Sequence, residues 1–191
     1  MVSDIIRISS RDDRPDTVLD QVERVADFQR LPAKEALQLR LLAEEMTSMM
    51  RAIAGNADGE FWVEDQDGLY ELHLRVDTGL DLLQREQLLS ASTSGKNEAE
   101  RGFMGKLRAF FAPTECAPLF FDLGPDANYA NMTWSMRAYE QQVRQMVSQN
   151  RSGAAEAWDE LEKSVVTHVA DDVKVSIRSG VTEMIISKNF A

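Results

Sequence analysis

The chain has 191 residues, 43% of them hydrophobic and 28% charged, a balance that fits one globular domain with a real core and excludes a disordered chain. Its formal net charge is −11 and no segment gathers lysine and arginine, which argues against a nucleic-acid binder, because neutralising phosphates takes a basic surface. No uncharged apolar run reaches the roughly 18 residues of a membrane span, so no membrane partner is expected.

The first residues, MVSDIIRISSRDDRPD, contain no basic stretch leading into an apolar run and do not read as a secretory leader, which makes the cytoplasm the expected compartment. Within them DIIRIS alternates enough for a short strand. Arg11–Asp16 is a charged turn, and Pro15–Asp16 suits the opening of a helix through Val18, Val22, Val25, Ala26 and Gln29. Leu31–Pro32 interrupts that helix. A second is expected from about Pro32 to Ala54, rich in Ala, Leu, Met, Glu and Arg, which favour helix. Its apolar column is Leu39, Leu42, Met46, Met49 or Met50, and Ile53, and Gly55–Asn56 is a stop signal.

The apolar period then changes to two. EFWVEDQDGLYELHLRVD reads as a hairpin turning at Asp67–Gly68, with Tyr70, Leu72, Leu74 and Val76 facing one way and Glu71, His73 and Arg75 the other. That pattern makes His73 a surface histidine and not a ligand, and no metal ligand is expected in the chain. Ser90–Asn97 is a small-residue loop, Glu98–Phe111 is helical and ends before Pro113, and Thr114–Asn128 is an irregular connection. The single cysteine, Cys116, has no internal disulfide partner and reads as a small core or loop residue. His73 and His168 are too few, and too far from any cysteine pair, for a zinc site.

Met132, Met136, Tyr139, Val143 and Met146 recur at helical spacing, Ser152–Gly153 breaks the pattern, and AAEAWDELEKSVVTHVA resumes it with Trp158, Leu161, Val165 and Val169 on one stripe. These methionines and aromatics read as core or interface packing. DVKVSIR and VTEMIISKNF form a last hairpin around Ser179–Gly180, with Val173, Val175 and Ile177 on one face. The order implies an α/β fold, specifically an α+β two-layer sandwich: a mixed sheet of about five strands with helices on one face. It is expected as a single domain over 1–191 with a helical elaboration at about 113–170.

Three places carry candidate chemistry. LQLRLLAEEMTSMM holds Glu44 and Glu45, VDTGLD holds Asp77 and Gly79, and SGKNEAERGFMGKLRAFF holds Lys96, Gly102, Gly105 and Lys106. In order and local sequence, residues 4–110 and 171–188 resemble the GHKL ATPase superfamily, which includes histidine-kinase catalytic domains and the anti-sigma-factor serine kinases. In that family a helical Glu, which orients or activates a nucleophile, is followed four residues later by an Asn that holds magnesium. Glu45 aligns with the Glu, and Met49 then occupies the Asn position; starting from Glu44 puts Ser48 there. A thioether is a poor ligand for a hard cation that takes oxygen. Without the resemblance, the two glutamates border an amphipathic helix.

Asp77 and Gly79 match the family's Asp-x-Gly-x-Gly, with Asp81 in place of the last Gly. The resemblance makes Asp77 the acceptor for the adenine amino group, and lets the chain turn past the base at Gly79, which has no Cβ. Asp77 beside a glycine turn is equally a common strand ending. The third segment resembles the flexible lid and second glycine motif, in which Gly102 and Gly105 open a helix whose backbone N–H groups suit phosphate and Lys96 or Lys106 adds charge. It is not a Walker loop, and a plain loop-to-helix junction has the same spelling.

The resemblance thus implies an ATP- or ADP-binding regulatory protein with its pocket between the Glu45 helix, the Asp77 turn and the 90–105 loop, weak or absent catalysis, doubtful use of Mg2+, and Glu45 as base if it is an ATP-dependent serine/threonine protein kinase. Expected partners are an adenine nucleotide, a regulatory protein and a second copy of the chain. The competing expectation is an interaction module that kept the fold and lost the nucleotide.

Overall fold

The Asp67–Gly68 step fixes the first hairpin. Both residues have positive φ, 52° and 86°, which gives a two-residue turn whose twist matches the strands it joins. The computed structural model describes residues 1–9, 16–54, 58–77, 131–151, 154–178 and 181–190. Around that turn run β2 (Asp58–Gln66) and β3 (Leu69–Asp77), preceded by β1 (Ile6–Ser9), α1 (Asp16–Phe28) and α2 (Ala33–Ala54). Beyond them lie β4 (Asn131–Ser135), α3 (Met136–Ser148), α4 (Ala154–Lys163), α5 (Val165–Val169), β5 (Asp172–Arg178) and β6 (Val181–Asn189).

The strands form one sheet in the order β1-β2-β3-β6-β5-β4. The expected two-layer α/β architecture is present, but among the described residues the sheet has six strands rather than five and every pairing is antiparallel, not mixed. The extra strand is β4. Met132 fits a helical spacing to Met136, yet Asn131–Ser135 pairs with β5, and Thr133 and Trp134 are residues that suit a pleated surface. Ser135 then caps α3, its hydroxyl accepting from the Ala138 N–H at 3.4 Å. Part of the supposed helical elaboration therefore belongs to the sheet. The segment expected to be one helix from Ala154 is interrupted at Ser164, which rotates the stripe so that Val166 is buried and Val165 is exposed. The loop at 90–97, the helix at 98–111 and the turn at Ser179–Gly180 lie outside the described residues.

Register decides the core. Phe61 and Val63 of β2, Leu72 and Leu74 of β3, Met184 and Ile186 of β6, and Val173 and Val175 of β5 are each fully buried on one face. Against them α1 lays Val18, Val22 and Val25, and α2 lays Leu39, Leu42, Met46 and Met49, all within one buried cluster. Met49, one of the two methionines offered for the column, is buried. Among the described residues, no helix is long and apolar enough to cross a membrane.

Candidate functional site

Strand alternation sends Arg7, Asp58, Glu60, Arg75, Asp77 and Val181 to the sheet face opposite the helices. Together with Ile8 and Gly59 they line a cleft of about 700 Å³ at the end of the sheet where β3 finishes. Its walls carry both signs of charge, and its volume falls in the range of small-molecule sites. Gly59 sits where neighbouring backbone comes close: a Cβ there would lie 2.7 Å from the Arg75 carbonyl oxygen and 3.1 Å from Val76 Cγ2. Three residues separate the end of α2 from the start of β2, so the helix C-terminus lies within roughly 14 Å of Asp58.

The expected site residues divide accordingly. Asp77 ends β3 on the rim of this cleft. Glu45 is half-buried at the border of the buried stripe of α2 and does not line the Asp77 cleft, which opens on the other face of the sheet, so this cleft is not the expected pocket between the two; the 90–105 loop lies outside the described residues. Met49 is 3% exposed and belongs to the buried core cluster. Gly79, Lys96, Gly102 and Gly105 lie outside the described residues. Arg7, Gly59 and Arg75 were not singled out by sequence. Their signal, a shared strand parity, is visible only once the register between β1, β2 and β3 is known.

His73 corrects its own expectation. It does point away from the helices, but it is 7% exposed, because the Trp62 ring across the β2–β3 pair lies flat against it at 4.7 Å between centroids.

A second concavity, of about 320 Å³, lies between α3 and α4 and is lined by Arg144, Val147, Ala155, Trp158, Asp159 and Glu162. The Arg144 guanidinium sits 5.3 Å from the Trp158 ring, whose indole N–H donates to Glu162 at 2.7 Å. No protein-family model, no curated protein and no solved structure matches this chain.

Proposed function

We propose that this chain is an adenine-nucleotide-binding regulatory protein of the cytoplasm that holds its ligand without relying on magnesium. The observation carrying the proposal is the position of Asp77. The carboxylate that the GHKL resemblance makes the adenine anchor lies on the rim of a cleft that also contains Arg7 and Arg75, although this cleft opens on the sheet face away from the helix that carries Glu45. In this reading Asp77 accepts from the exocyclic amino group, and the two guanidiniums meet the phosphates. The burial of Met49 supports binding without phosphoryl transfer, since α2 then offers no oxygen at the position that holds magnesium in the family. Glu45 keeps no assigned catalytic step.

Isothermal titration with ATP, ADP and GTP tests this. ATP and ADP bind with sub-millimolar dissociation constants and GTP at least about tenfold more weakly, since guanine presents no amino donor at the adenine position. Absence of adenine-nucleotide binding at millimolar concentration contradicts the proposal. The apolar groove at Val147 and Trp158 favours the alternative in that case, an interaction module that takes an amphipathic segment of a partner protein.

A further inference from the structure

The β2–β3 register sets Trp62 opposite His73 and Glu64 opposite Glu71, so all four side chains stand on the sheet face away from the helices. His73 Nε2 is 3.9 Å from Glu64 Oε1 and 3.9 Å from Glu71 Oε2, and Nδ1 is 3.8 Å from Glu183 Oε1 on the neighbouring strand. These separations are beyond hydrogen-bond reach, and neither ring nitrogen has a hydrogen-bond partner among the described residues. A buried imidazole with both nitrogens unmatched and carboxylates on both sides is a place where positive charge is stabilised.

We propose that Glu64, Glu71 and His73 form a binding site for a divalent transition-metal ion, with Zn2+ the best-matched cation and Glu183 orienting the imidazole. One ligand atom from each of the three residues lies within 4.8 Å of the others. A tetrahedral ion with bonds of ~2.0–2.2 Å places its ligand atoms about 3.3 Å apart, so the gaps close by at most about 1.5 Å, a modest rotation for a glutamate. Outer contacts already hold the ligands. The Trp62 indole donates to Glu64 Oε1 at 2.9 Å, and the Ser187 hydroxyl donates to Glu71 Oε1 at 3.1 Å, leaving Oε2 toward the histidine. Glu183 faces Nδ1 as a carboxylate faces the outer nitrogen of a metal-bound histidine, which leaves Nε2 for the ion.

Counting histidines and cysteines alone argued against zinc, but the sheet register adds two glutamates to His73; one imidazole nitrogen and two carboxylate oxygens without sulfur suit Zn2+ better than Cu(I), and the imidazole disfavours Mg2+. The glutamate side chains are 44% and 33% exposed, so a fourth position is open to water. The site shares no residue with the Asp77 cleft, and it stands or falls independently of nucleotide binding.

The test is Zn2+ titration of the full chain, stripped of metal, against a chromophoric chelator, with tryptophan fluorescence as a second signal. One equivalent binds with a dissociation constant of about 10 μM or tighter, Trp62 emission changes in step, and millimolar Mg2+ does not compete. Glu64→Gln, Glu71→Gln and His73→Gln each weaken binding at least about tenfold, and Glu183→Gln weakens it by a smaller factor. Glu140→Gln, on α3, leaves it unchanged. Melting without metal establishes that each variant folds; if His73→Gln does not, the size-matched glutamate variants carry the result. Failure to bind Zn2+ below about 100 μM overturns the site, as does binding that stays within about twofold in all the ligand variants.

Discussion

At the scale of single residues, Asp77, Arg7 and Arg75 divide the work of the proposed cleft, and their substitutions separate base from phosphate recognition. Asp77→Ala weakens ATP and adenosine alike, by roughly ten- to a hundredfold, because a charge-assisted hydrogen bond is worth about 1.5–3 kcal/mol. Arg7→Gln and Arg75→Gln weaken ATP and leave adenosine nearly unchanged; equal losses for both ligands would remove the arginines from the phosphates. Tyr70 offers a test of the fold alone. Burial, then the charges of Asp65 and Glu35, raise its phenol above the ordinary value. A raised folded value stabilises below the unfolded pKa, so this contribution is complete below about pH 10 and is lost as pH rises through the folded value. Thermal melts therefore fall more steeply above about pH 10 in the wild type than in Tyr70→Phe. His73 marks where reading one strand stops. Alternation gave the direction of its side chain correctly, but burial came from Trp62 on the adjacent strand, and that pairing is set by the turn rather than by the strand's own pattern.

At the scale of elements, the β2–β3 hairpin was legible because a local chemical rule governs it. Asp-Gly supplies two positive-φ residues, and alternation then assigns every side chain on both strands. Gly68→Val forces a β-branched residue to φ 86° and is expected to cost about 1–2 kcal/mol in urea unfolding. Gly59 is constrained differently. A Cβ there meets the Arg75 backbone carbonyl on the neighbouring strand, so Gly59→Ala must push β2 from β3, costs about 1–3 kcal/mol and distorts the cleft. Unchanged stability and unchanged ATP affinity in that variant would show that the strands yield freely. β4 was not legible, because Met132 satisfies both periods and only its pairing with Lys174–Arg178 chooses between them. The break at Ser164 escaped for a similar reason: the stripe from Trp158 to Val169 is consistent with one helix, and tertiary packing moves burial to Val166.

At the scale of the whole molecule, the two faces of the sheet differ in what they carry. One is filled by the apolar faces of α1 and α2. The other carries Asp77 with its two arginines at one end, and Trp62, His73 and their glutamates further along β2 and β3. The layered architecture was legible because hairpins with one apolar face need helices to cover it. The grouping of chemistry on the far face was not, because it depends on β6 entering between β3 and β5, a pairing between distant segments of the chain. If the cleft holds phosphate, its arginines must do so locally against a net charge of −11, so ATP affinity should fall as salt screens those contacts, and adenosine affinity should not. The most direct measurement is ATP titration of the wild type and Asp77→Ala, each with and without Mg2+. Sub-millimolar binding that changes less than about threefold with Mg2+, and weakens at least about tenfold in Asp77→Ala, is the predicted result. No binding at millimolar ATP, strong magnesium dependence, or equal affinity in the two proteins would contradict it.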